Sequence, residues 1–295
     1  MAGGRDGGGP HPPPGAAPAA PRGLLRGDRR RDRGGGDAGT GLRADGPVAR
    51  AAPQRASQVP AVGPGRRGSP VNRHIELEGC FNFRDLGGYQ TTEGRMIRWR
   101  RLYRADGLSR LTERDMQRLA ELELATVIDL RTTAELEEYG RIPDATWELE
   151  FHHVPIIETL PDRDEYPAWV NLEYVLGGYT RMLERGGPAI AKALWLLAEP
   201  ATYPAVFHCS AGKDRTGILA ALVLGFLGVP DEVIVADYAL SRAAMERRYE
   251  RLLEEHPDRR EEIERWRPAL LSAEPDVMRE LLATVRRTYG SVEGY

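Results

Sequence analysis

The chemistry legible in this chain is concentrated in one segment, His208-Cys209-Ser210-Ala211-Gly212-Lys213-Asp214-Arg215-Thr216-Gly217. A short apolar run, Pro204 to His208 (PAVFH), precedes it and a longer one, Ile218 to Leu227, follows. The segment therefore reads as the turn between a buried strand and a buried helix. Gly212 permits the tight turn. In that setting the loop amides of Ser210, Ala211, Gly212, Lys213 and Asp214 converge on one concavity. The helix N-terminus adds partial positive charge, and the two together make an anion site sized for a phosphoryl group. Arg215 closes the site with a planar, permanently charged fork able to hold two phosphate oxygens.

Cys209 lies at the mouth of the same nest. A field that binds phosphate also favours a thiolate, and a thiolate is a strong nucleophile. Thr216 is placed to donate its hydroxyl to that sulfur, and His208 to orient the loop. The expected reaction is in-line attack of sulfur on phosphorus, giving a phosphocysteine that water hydrolyses. It calls for no metal or other cofactor, because Arg215 and the amides carry the charge stabilisation. Lys213 adds a second cation, which either supports the loop through a carboxylate or meets a second phosphate, as on an inositol ring. Adjacent His152 and His153 on a strand point to opposite faces and are poor co-ligands. Cys80 has no comparable company and reads as structural.

These residues need a scaffold, and residues 71–295 supply one. Gly87 to Tyr89 and Met96 to Arg104 read as strands joined by Thr91-Thr92-Glu93-Gly94. Ala125 to Leu130 (ATVIDL) and Glu148 to Val154 read as further strands. Thr112, with Asp115 at the third helical position, and Thr132 or Thr133 are candidate N-caps. Helices are expected over Asn171 to Leu183, Pro188 to Ala198, Ile218 to Leu227, Asp231 to Glu254 and the C-terminal 30 residues. Strands alternating with helices predict an α/β fold with a central, mostly parallel sheet flanked by helices. On the Met96 to Arg104 strand, Arg98, Arg100 and Arg104 alternate with Ile97, Trp99 and Tyr103, giving a basic face expected to be solvated.

Residues 1–70 are of another kind. They hold 17 Gly and 11 Pro and no aromatic residue, too little apolar surface to offset the entropy of ordering, so a disordered arm is expected. Its 12 Arg and 5 Asp give +7, which leaves −10 of the total −3 for the folded block. A solvated tail is favoured over an arm that touches anionic lipid, RNA or acidic protein. Arg outnumbers Lys 39 to 2 over the whole chain, so Arg richness is weak evidence of a role. The near-neutral total gives no reason to expect nucleic acid as a partner. The longest near-apolar run, Gly217 to Val229, is too short to span a bilayer. Two cysteines cannot staple 295 residues, and a reducing cytoplasm is the default compartment.

HCSAGKDRTG resembles the Cys-x5-Arg-Ser/Thr signature of the protein tyrosine phosphatase superfamily. NFRDLGGY (Asn82 to Tyr89), RLYRADGLSRLT (Arg101 to Thr112) and VIDLRTTAE (Val127 to Glu135) are similar to its PtpB-like bacterial branch of tyrosine and dual-specificity phosphatases. The resemblance runs from about Ile75 to about Ser241 and includes none of the arm. It implies a phosphatase fold and a phosphoprotein substrate, with phosphoinositides an alternative. It also implies Asp214 as the acid that protonates the leaving group. Asp162 and Asp164 in the upstream loop are the alternatives, with Asp129 expected to pair with Lys213 or Arg215, and Asp85 to anchor Arg84 or the loop. The rival from another class is a phosphate-binding pseudophosphatase; such proteins usually lack the Cys or the Arg, and both are present here.

Overall fold

The computed structural model describes residues 72–160 and 171–295. The arm over residues 1–70 and the candidate acids Asp162 and Asp164 lie outside the described residues. A five-stranded mixed sheet runs through the described residues: β1 (Arg84–Asp85), β2 (Leu102–Ala105), β3 (Thr126–Asp129), β4 (Glu150–His153) and β5 (Ala205–His208). The spatial order is β1-β2-β5-β3-β4, with β1 antiparallel to β2 and every other pair parallel. β2, β3 and β5 are buried along their whole length, as central strands of a sheet covered on both faces are. The register aligns Ala105, His208 and Asp129, so three parallel strands end together. The last strand in sequence, β5, is central, and the chain leaves it at Cys209. Ligand sites of open α/β sheets lie at such carboxyl ends.

The helices flank this sheet: α1 (Glu113–Glu121), α2 (Thr133–Tyr139), α3 (Leu172–Ala198), α4 (Asp214–Phe226), α5 (Asp231–Ala239), α6 (Ser241–Glu255), α7 (Arg260–Leu270) and α8 (Pro275–Tyr289). α4 is apolar on all sides and buried from Arg215 to Leu224, which anchors its N-terminus at the end of the sheet. Thr112 and Thr132 each form a capping box, with Asp115 and Glu135 at the third position.

Three expectations are corrected. The two helices foreseen around Pro188 are one helix, α3. Proline removes only the amide bond to Glu184, and both residues are exposed, so water can take that carbonyl. The single helix foreseen over Asp231 to Glu254 is two, broken at Leu240. Asp237 lends its carbonyl to Leu240 N (3.2 Å) and to Arg84 Nη2 (2.9 Å), and the helical ladder is interrupted there. The Met96 to Arg104 strand is shortened to Leu102–Ala105, since Arg100 adopts φ 59°. Arg104 is buried, while Arg98 and Arg100 are exposed, so no solvated arginine face runs along it.

Candidate active site

The loop from Cys209 to Lys213 is held almost entirely by its carbonyls. Cys209 O accepts from His208 Nδ1 (3.1 Å), and Ser210 O from Gly107 N (3.1 Å) and Arg248 Nη1 (3.2 Å). Asn82 Nδ2 donates to Ala211 O (3.3 Å) and Gly212 O (3.0 Å), and Arg104 Nη2 to Gly212 O (2.8 Å). Lys213 O accepts from Gly217 N at 2.8 Å. With the carbonyls so engaged, the amides are the groups left over. Those of Ser210, Ala211, Gly212, Asp214 and Arg215 make no backbone hydrogen bond among the described residues. Gly212 carries φ 65°, and a Cβ there would sit 2.5 Å from Ala105 O, so only glycine fits the turn.

Arg215 is buried and pinned by a partner that sequence reasoning missed. Glu135 receives Nη1 at 2.5 Å and Nη2 at 2.9 Å, a bidentate pair. Burial opposes the Arg215 charge, but the Glu135 hydrogen bonds and the nearby Cys209 hold its pKa above the usual value. Glu135 is held below its own ordinary value: burial works against its charge, and Arg215 outweighs burial. Two of five guanidinium donors are spent, leaving three for a ligand. In the sequence Glu135 shows as the third residue after the Thr132 cap and as the end of the VIDLRTTAE stretch, and neither pairs it with Arg215.

A buried ionic network braces the loop from behind. Asp237 accepts from Arg84 Nε (3.1 Å), Arg104 Nη1 (2.7 Å) and Tyr89 OH (2.9 Å). Arg84 also donates to Asn82 Oδ1, so both arginines reach the loop, one directly and one through Asn82. Burial and the like charge of Arg84 push Arg104 down to about 10 against the pull of Asp237. Burial disfavours the Asp237 anion, yet Arg84 and Arg104 hold its carboxyl far below the ordinary carboxylate range. Its stabilisation is therefore complete above the unfolded-state value and is lost as pH falls through the lower folded value. Asp237→Asn strands two buried cations and is expected to cost about 3–5 kcal/mol near neutrality. The deficit should shrink at the most acidic pH. Urea unfolding from pH 7 to pH 2 measures both, and a pH-independent deficit would contradict the assignment.

Asp214 opens α4 beside the nest. Tyr179 OH donates to its Oδ1 at 2.7 Å and is itself 2.7 Å from Tyr238 OH. Both tyrosine hydroxyls are driven well above their usual pKa, first by burial and then by the Asp214 charge, so they act here as neutral donors. Lys213 Nζ turns to Leu270 O (3.2 Å) and Ser272 Oγ (3.0 Å), with Asp214 Oδ1 3.7 Å away.

Other expectations are revised. The Thr216 hydroxyl is buried with no hydrogen-bond partner among the described residues, so the foreseen donation to sulfur is not made. Asp129 pairs with Arg131 (2.6 Å) rather than with Lys213 or Arg215, and lies 3.7 Å from His208 Nε2. His208 is buried, and burial lowers its pKa, which suits a loop-orienting residue that stays neutral. Asp85 caps its own turn, accepting from Gly87 N (2.7 Å) and Arg100 N (2.8 Å), and binds neither Arg84 nor the loop. Cys80 donates to Asp106 Oδ1 at 2.6 Å, and burial pushes its thiol well above the ordinary value. Asp106 also collects Phe81 N (3.0 Å) and Asn82 N (2.8 Å), which sets Asn82 against the loop.

A cavity of about 390 Å³ opens over the nest. Ser210, Ala211, Lys213, Asp214 and Arg215 form its floor, and Ile157, Val175, Met182 and Leu252 supply apolar wall. A cysteine at the end of a central parallel strand, loop amides without backbone partners among the described residues and a pinned arginine fit the class of phosphate-handling enzymes built on a strand-loop-helix turn.

The chain belongs to the tyrosine phosphatase family, whose family model matches residues 75–295. It is 32% identical over 261 residues to the triple specificity protein phosphatase PtpB of Mycobacterium tuberculosis, covering 75% of this chain and 91% of that protein. A tyrosine-protein phosphatase of Nostoc commune is 32% identical over 144 residues, 48% of this chain and 49% of that one. Among solved structures, the core catalytic domain of the PP-IP phosphatase Siw14 from S. cerevisiae aligns at 17% identity with a TM-score of 0.32, covering 56% of this chain and 79% of that one. The chain is thus an enzyme of the protein-tyrosine phosphatase class. Among the described residues no helix is long and apolar enough to cross a membrane.

Proposed function

We propose that this protein hydrolyses phosphotyrosine on proteins through a phosphocysteine at Cys209, without a metal. The observation that carries the reading is the division of labour in the loop. Its carbonyls are tied outward, five of its amides are unspent on the described backbone, and Arg215 is fixed in the same nest by Glu135. Such preorganised donors stabilise charge that develops on the transferring phosphoryl oxygens.

The Cys209 sulfur attacks phosphorus as the bond to the leaving oxygen breaks. Asp214 gives that oxygen its proton. Tyr179 occupies Oδ1, so Oδ2 is the oxygen that carries the proton. Water then attacks the phosphocysteine, Asp214 takes the proton back, and the thiolate departs with inorganic phosphate as product. The apolar wall of the cavity suits an aryl ring above the nest.

Purified protein is expected to turn over a phosphotyrosyl peptide at an unchanged rate with chelator present, and acid quenching during turnover should leave phosphate on Cys209. Loss of activity with chelator, or no covalent phosphate, would overturn the mechanism. Asp214→Asn should slow phosphotyrosine hydrolysis about 10²–10⁴-fold, the usual scale of general acid catalysis. An activated aryl phosphate, whose leaving group needs little protonation, should lose far less. Equal losses on the two substrates would reduce Asp214 to a loop support.

A further inference from the structure

The cavity continues from the phosphate nest to a cationic wall on α6. Arg248 and Arg251, one turn apart on α6, both line it, as does Phe81. Arg248 is half-buried and touches Ser210, with Nη1 3.2 Å from the carbonyl and Nη2 3.5 Å from Oγ. Among the described residues it has no carboxylate partner. The Arg251 guanidinium lies 4.3 Å from the Phe81 ring centroid and donates to Glu78 O at 2.9 Å. Its nearest carboxylate, Glu255, stands 4.0 Å off and gives both oxygens to Arg110 Nη1 at 2.8 Å. Two guanidinium groups are thus held in place by a carbonyl and an aromatic face, with little counter-charge of their own. A partly desolvated cation without a counter-ion is costly, and a ligand anion repays that cost.

Resting on the phosphotyrosine reading above, we propose that Arg248 and Arg251 form a second anion subsite, which selects phosphotyrosyl peptides carrying an acidic residue next to the phosphotyrosine. The apolar wall favours this occupant over a phosphorylated polyol. Ile157, Val175, Met182 and Leu252 would leave ring hydroxyls unpaired, whereas they match an aryl ring and a peptide chain. Arg248 holds the subsite beside the loop, so the second anion enters next to the first.

Two phosphotyrosyl peptides that differ only in Glu or Gln beside the phosphotyrosine test this. The wild type should favour the Glu peptide about tenfold in kcat/KM, the scale of one charge-assisted hydrogen bond in a partly buried site. The ratio should fall with added salt. Arg248→Met and Arg251→Met should each bring it towards one. Arg251→Glu, with the charge reversed at a surface position, should make a Lys-flanked peptide the better substrate. A ratio near one in the wild type, or one unmoved by all three variants, overturns the subsite. Faster hydrolysis of a soluble bisphosphorylated inositol lipid than of the Glu peptide, lost in the same variants, overturns the peptide assignment. Should neither peptide turn over, the Cys209 mechanism fails by itself. The subsite is then judged by the binding affinities of the two peptides, equal affinities counting against it.

Discussion

Cys209→Ser is expected to abolish turnover, by a factor on the order of 10⁴ to 10⁶, while leaving oxyanion binding in place. The two parts of this result have separate origins. Turnover requires a thiolate that attacks phosphorus, and a serine hydroxyl at the same place has no base positioned to activate it. His208, the neighbouring imidazole, points Nδ1 at the Cys209 carbonyl and is kept neutral by burial. Binding comes from elsewhere, from the amides of the loop and from Arg215. Both are held by contacts that do not involve sulfur, among them Asn82, Arg104 and Glu135. Tungstate or phosphate should therefore bind the variant with an affinity similar to that of the wild type, as read by calorimetry. Residual turnover above about one part in 10³ would remove Cys209 from the role of nucleophile.

The second large effect is expected at Arg215. Arg215→Lys keeps the charge and removes the fork. A lysine ammonium cannot meet both Glu135 oxygens in the plane that fixes the guanidinium, and cannot offer two parallel donors to the phosphoryl group. A fall in kcat of about 10³-fold is expected, comparable to the loss of an oxyanion donor or an arginine finger. Unlike Cys209→Ser, this variant should also bind tungstate poorly. Glu135→Gln, which leaves the fork in place and weakens its support, should fall between wild type and Arg215→Lys. If Arg215→Lys retains near-full kcat, charge alone suffices and the planar geometry is irrelevant. The two variants thus divide the site into a sulfur that reacts and a cradle that holds.

Much of this was readable without coordinates. A tight glycine turn between two apolar runs, with Cys, Arg and Thr at fixed offsets, is a local pattern. Local geometry turns such a pattern into an anion nest, because strand, turn and helix follow from neighbouring residues. Strand-helix alternation gave the sheet class for the same reason. Which residues hold the nest was not readable, since Asn82, Arg104 and Glu135 stand in the quoted motifs with nothing to pair them with the loop. Glu135, Asn82, Arg104, Asp237, Tyr179 and Arg248 stand between 23 and 132 residues from Asp214, farther than any helical or strand period reaches.

The chain's local order therefore determined which groups share one short turn: a sulfur, a guanidinium and a row of amides. Tertiary structure decided what keeps them in position and what stands around them. Asp129 went to Arg131 and not to the loop, Lys213 turned to Leu270 and Ser272, and a capping-box glutamate became the partner of Arg215. The physical reason is that buried charges must find partners within a few ångströms, and which partners come that close is set by the sheet order and helix packing, not by spacing along the chain.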